Sequence, residues 1–150
     1  MGERRIINQR FEISAVSSNG KRVRDLIEKF CQEAGLTPSE TEGLQLAVSE
    51  AFNNAVEHGL EFNETETVVL VLESRPTKVV IQIEDRGKGI DFKKISWQGP
   101  KINLGERGRG FQIIHAFIDG IQVERLEPTG TRLTLVHWKN HSQETSCLRS

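Results

Sequence analysis

The amino-acid sequence predicts an α+β fold, a two-layer sandwich in which helices cover one face of a largely antiparallel sheet. Three observations predict it. Strand-like segments come in pairs joined by short turns, which builds antiparallel ladders. Two segments ahead of the first such pair carry apolar residues at helical spacing. The order β-α-α-β-β-loop-α-β-β then leaves the helices to cover the sheet, most simply on one face.

Each element has its own local reason. Residues 5–14 (RIINQRFEIS) alternate enough to read as a first strand. From Asn19 to Ala34, the residues Val23, Leu26, Ile27, Phe30, Cys31 and Ala34 trace an amphipathic stripe, and Gly35 stops it. Thr37-Pro38-Ser39-Glu40 opens the second helix with an N-cap threonine, proline at the first helical position and a capping-box glutamate. That helix is expected to run to about His58 and end at Gly59. Residues 66–74 and 78–85 read as two strands split by a turn at Arg75-Pro76. Residues 86–109, rich in Gly, Lys and Arg, read as one long loop. A third helix near 110–119 would bury Phe111, Ile114, Phe117 and Ile118. The last hairpin joins strands 121–127 and 130–137 through Glu127-Pro128-Thr129-Gly130. One domain over 1–138 is followed by a polar, frayed tail over 139–150.

Composition narrows the function. A chain of 150 residues is long enough to bury a core as one domain. Its 20 basic and 21 acidic side chains sum to −1, which argues against general affinity for nucleic acid or membranes. Cys31 and Cys147 lie far apart and suggest neither a disulfide framework nor a metal pair. No run resembles a signal peptide or approaches the roughly 20 apolar residues of a membrane span, so the cytoplasm is the expected compartment.

Four stretches carry chemistry. In SEAFNNAVEHG, residues 49–59, the residues Glu50, Asn54 and His58 advance by about 40° per step and form one polar stripe. It runs beside the apolar stripe of Leu44, Val48, Ala51, Phe52 and Ala55, so its side chains stand at the rim of the core. Idle polar groups there are costly, although bonding to loop backbone would also satisfy them. In IEDRGKGI, residues 83–90, Asp85 is in phase with the inward-facing Val79, Ile81 and Ile83, and Gly87 and Gly89 allow close backbone approach. The pattern fits a ligand-facing acid and a solvated strand-ending turn alike. Gly105-Glu106-Arg107-Gly108-Arg109-Gly110-Phe111 precedes the third helix, where free N–H groups suit phosphate; the bland reading is a flexible loop. Neither a Gly-Lys-Ser/Thr nor a βαβ context accompanies it. Thr131 opens the final strand on the face of Leu133 and Leu135.

In order and spacing these stretches together resemble the N, G1, G2 and terminal GT boxes of the Bergerat ATP-binding fold, over roughly residues 5–137. Within that GHKL superfamily the likeness is to small single-domain serine kinases of the RsbW and SpoIIAB type, which are anti-sigma factors. The resemblance implies a mostly antiparallel mixed sheet covered on one face by three helices. It implies Mg²⁺ held by Asn54 against ATP, and Glu50 as general base. Asp85 would accept the adenine amino group, Gly87 and Gly89 would admit the purine, and Thr131 would support the adenine end. Gly108 and Gly110 would cap the phosphates, with Arg107 or Arg109 either stabilising γ-phosphate charge or contacting a partner. The implied activity is phosphorylation of a STAS-domain anti-anti-sigma protein, coupled to capture of a sigma factor by a homodimer. The alternatives are an RsbT-like switch kinase and a non-catalytic nucleotide-gated binding module.

Overall fold

The fold was obtained as a computed structural model, which describes residues 6–61, 63–87, 96–98, 101–103 and 118–140. Strand β1 (Ile7–Ser14) leads through a 3₁₀ turn at Ser17–Asn19 into helix α1 (Gly20–Glu33). Gly35, at φ +77°, ends that helix: its N–H bonds the Gln32 carbonyl and the Leu36 N–H bonds that of Cys31, which satisfies two otherwise orphaned acceptors. Helix α2 (Pro38–Asn54) starts at the expected capping box, with Glu40 N–H on Thr37 Oγ1 at 3.1 Å and Thr37 N–H on Glu40 Oε1 at 2.9 Å.

Strands β2 (Thr67–Ser74), β3 (Lys78–Asp85), β6 (Gly120–Arg125) and β7 (Thr131–Trp138) join β1 in a five-stranded sheet of order β1-β2-β3-β7-β6. All four pairings are antiparallel, so among the described residues the sheet is not mixed. Short turns join β2 to β3 and β6 to β7, while both helices lie between β1 and β2 and a long connection separates β3 from β7. The expected long loop carries a small ladder of its own: β4 (Ser96–Gln98) pairs antiparallel with β5 (Lys101–Asn103), aligning Trp97 with Ile102. Those two residues have strand preference, which the surrounding Gly and Lys content masks in the sequence. The third helix expected near 110–119 lies outside the described residues up to Phe117; Ile118 is buried and Asp119 is in an irregular segment.

One sheet face carries Leu70, Leu72, Ile81, Ile83, Leu133 and Leu135, and packs with Ile27, Phe30, Leu44, Val48 and Phe52 from the two helices into a single core. The opposite residues of β2, β3 and β7 are only half-buried, so α1 and α2 cover one face, as expected. Among the described residues no helix is long and apolar enough to cross a membrane.

Glu40 does more than cap. Its Oε2 accepts from the His137 ring Nε2 at 2.6 Å and from Asn140 N–H at 2.9 Å. Burial works to raise this carboxyl, and the bonds from Thr37, Asn140 and His137 outweigh it and hold it below the usual carboxylate range. Ordered contacts therefore continue past the expected tail boundary: Lys139 is buried beside Glu40 and its N–H bonds the Thr77 carbonyl. Residues 141–150 lie outside the described residues.

Candidate functional site

The Glu40 anchor decides where the rest of α2 goes. It ties the start of α2 to the His137 end of β7, and β7 runs antiparallel to β3, with Lys78 opposite Trp138 and Asp85 opposite Thr131. From Glu40 to Asn54 the helix rises about 21 Å. From His137 back to Thr131 the strand spans about 20 Å. A helix fastened at one end of this pair of strands is thus long enough to reach the level of Asp85 and Thr131. The segment after α2 packs on β3.

That segment corrects one expectation. The α-helix stops at Asn54, and Ala55–Gly59 form a single π turn, closed by Leu60 N–H on the Ala55 carbonyl at 2.8 Å. Spacing of apolar residues cannot distinguish the two, because one wider turn leaves Ala55, Val56 and Leu60 in the core regardless. Single π turns inside helices are frequent at functional sites.

Glu50 and Asn54 stand one turn apart on α2 with half-buried side chains. Among the described residues the Asn54 Nδ2 is buried with no hydrogen-bond partner, as is the neighbouring Ser49 Oγ. An orphaned amide at the rim of a core is unsatisfied until something else binds it.

Asp85 ends β3 with only 6% of its surface exposed. It is in phase with Ile81 and Ile83, and burial pushes its carboxyl up to about 6, against a smaller opposing effect of its bond from Gly87 N–H. That bond, at 3.0 Å to Oδ1, folds residues 85–87 into a side-chain-closed turn. Thr131, opposite Asp85 in the ladder, is also buried, and its side faces the same interior. The structure therefore sets an inward acid, an inward threonine and a side-chain-closed turn together at the end of β3 and β7, and leaves an unsatisfied amide at the end of α2. Gly89, Arg107, Gly108, Arg109 and Gly110 lie outside the described residues.

Three residues at this end escaped the sequence reading. Arg86 Nη1 donates to the Glu127 carbonyl at 3.0 Å, and Thr129 Oγ1 donates to the Gly87 carbonyl at 2.5 Å. Gly130, at φ +124°, lies directly on the Asp85 peptide: a Cβ there would stand 2.3 Å from the Asp85 carbonyl oxygen. The Glu127-to-Gly130 segment reads in sequence as an ordinary hairpin turn, and nothing local announces contacts more than 40 residues away.

Comparison with known proteins bears on this arrangement. The model of the histidine kinase-like ATPase domain matches residues 13–137. An anti-sigma F factor of Clostridium botulinum is 32% identical over 127 residues, covering 83% of this chain and 89% of that one. An anti-sigma F factor of Clostridium perfringens is 29% identical over 129 residues, covering 84% and 92%. Among solved structures, the RsbU and RsbW domains of a Mycobacterium tuberculosis protein superpose with a TM-score of 0.64 at 20% identity. The likeness covers 87% of this chain and 32% of that one, and at this identity it speaks to the fold.

Proposed function

The chain belongs to the histidine kinase-like ATPase domain family, in its SpoIIAB/RsbW-type branch, and from that premise we propose that it is an ATP-dependent protein serine kinase and anti-sigma factor. The substrate in this reading is a STAS-domain anti-anti-sigma protein, and the captured partner is a sigma factor. The observation that carries the reading is a buried Asp85 paired opposite a buried Thr131 at the end of a sheet covered by α2, the helix that bears Glu50 and Asn54.

Each residue has a task that its surroundings suit. Asp85 accepts the adenine amino group, and the rim of glycine at 87 admits the purine edge. Thr131 supports the same end from the neighbouring strand. The Asn54 amide oxygen would serve as a neutral ligand for a hard cation, and its unsatisfied Nδ2 would be left to donate to an acceptor such as a phosphate oxygen. Bound there, Mg²⁺ would neutralise charge on the phosphates. Glu50, one turn earlier, accepts the proton of the attacking serine hydroxyl. Gly89, Gly108 and Gly110 complete the phosphate and purine contacts in this reading, with Arg107 or Arg109 facing the γ-phosphate.

A homodimer forms part of the same proposal, with the open edge of β1 offering an unpaired ladder. A protein that captures a sigma factor works in the cytoplasm, and we place it there.

The proposal is tested by incubating the chain with radiolabelled ATP, Mg²⁺ and STAS-domain proteins from the same genome. Label on a serine of one of them supports the kinase. Tight nucleotide binding with no transfer to any of them favours the binding-module alternative.

The carboxyl of Asp85 makes a separate prediction. Its folded value, about 6, lies above the 3.8 of an ordinary aspartate, so its ionisation opposes folding. The associated stability is present below about pH 4 and is lost as pH rises through about 6, an effect on the order of 2–3 kcal/mol. Asp85→Asn keeps an acceptor for Gly87 N–H without the buried charge. It should raise unfolding stability at pH 8 while weakening adenine-nucleotide binding by about 1–3 kcal/mol. Wild-type nucleotide binding requires the ionised carboxylate and should decline as pH falls through about 6. Denaturant titration and calorimetry read both effects; unchanged affinity in the variant would place the base elsewhere.

A further inference from the structure

Beside the residues assigned above lies a set of contacts that none of those roles uses. The Glu127-to-Gly130 loop grips the Asp85–Gly87 turn from outside at two points, through Arg86 Nη1 to the Glu127 carbonyl and Thr129 Oγ1 to the Gly87 carbonyl. The second bond matters more for the site. Gly87 is held on one side by its N–H to Asp85 Oδ1, and on the other by its carbonyl to Thr129. Both of its backbone polar groups are therefore committed, and the most permissive residue in the turn is left one conformation.

We propose that Thr129 is a positioning residue for purine recognition, with Arg86 as its companion: the β6–β7 loop latches the Asp85–Gly87 turn into the shape that receives the base. Arg86 serves this in a second way. Its guanidinium is drawn toward the Glu127 carbonyl, away from the carboxylate of its sequence neighbour, so Asp85 keeps its acceptor capacity for a ligand rather than for a cation of the same chain. Successive residues at a strand end point to opposite faces, which makes that separation natural. Both bonds are made between atoms of this chain, so the latch restricts the turn and lowers the ordering that binding a base would cost. This inference rests on the adenine site proposed above and adds a residue that touches no ligand.

The test is Thr129→Val, which keeps the shape and removes the hydroxyl, beside Thr129→Ser, which keeps the donor. Thr129 is exposed, so the variant should melt within about 2 °C of wild type. Affinity for ADP and for ATP should each fall about 3- to 10-fold in Thr129→Val, by the same factor, because the latch acts at the base end and not at the phosphates. In transfer assays KM for ATP should rise with kcat nearly unchanged, and Thr129→Ser should restore affinity. Wild-type affinity in Thr129→Val, or loss of ATP binding alone, overturns the proposal. A wild-type chain that binds no adenine nucleotide overturns the adenine-site reading and this inference together, an outcome distinct from the other two.

Discussion

Replacing Glu50 by glutamine should abolish most phosphoryl transfer while leaving nucleotide binding near its wild-type level. The side chain sits on α2 one turn before Asn54, half-buried, and makes no hydrogen bond or ion pair among the described residues. A carboxylate with no partner at the rim of a core keeps its lone pairs for an incoming proton. Glutamine has the same shape and can still accept a hydrogen bond, but it cannot take up the hydroxyl proton as charge develops on the attacking oxygen. Loss of a positioned base lowers the rate by about 10²–10⁴-fold. Affinity should be spared, because in the proposed site the contacts to base and phosphate come from other residues. Single-turnover transfer of labelled phosphate, paired with calorimetric binding of ATP, separates the two quantities. Transfer at the wild-type rate would remove Glu50 from the mechanism, and lost binding would make it a ligand contact instead.

Gly130→Ala should produce the largest loss of folding stability of any single methyl added to the site. The position has φ +124°, a region that L side chains rarely adopt. The new Cβ would also stand 2.3 Å from the Asp85 carbonyl oxygen and 2.9 Å from Arg86 Cα. Both are backbone atoms in a paired strand end, so no side chain can swing aside to make room. Strain and displacement together are expected to cost on the order of 3 kcal/mol or more. The atoms pushed away belong to the base-recognition turn, so nucleotide affinity should fall with stability. Gly35→Ala is the control. At φ +77° it meets no atom within 4 Å, and only the backbone preference of about 1 kcal/mol opposes it. Urea unfolding of the two variants measures the difference; equal losses would mean that conformation alone, and not the contact with Asp85, governs Gly130.

Much of the fold was legible because its signals are local. The capping box at Thr37 and Glu40, the stop at Gly35 and the alternation through Val79, Ile81, Ile83 and Asp85 depend on neighbours within four residues or so. They appear in the structure where the sequence puts them. The π turn after Asn54 and the β4–β5 ladder were not legible, since the first shifts one hydrogen bond without moving the apolar pattern and the second is three residues per strand.

The site divides along the same line. Sequence alone singled out the candidate residues: two polar side chains one helical turn apart, an acid in phase with a buried strand face, and a threonine on another such face. Helical and strand periodicity suffice to orient those side chains, because each depends only on its own element. Only the tertiary structure decided what stands beside them. The ladder sets Asp85 opposite Thr131, and Glu40 reaching His137, 97 residues away, fastens the start of α2 to the far end of β7. Tertiary structure likewise decided that Gly130 must be glycine and that Thr129 holds Gly87, since both follow from a close approach of two loops more than 40 residues apart. A chain's periodicity reports which way a side chain points, and long-range packing alone sets what it points at.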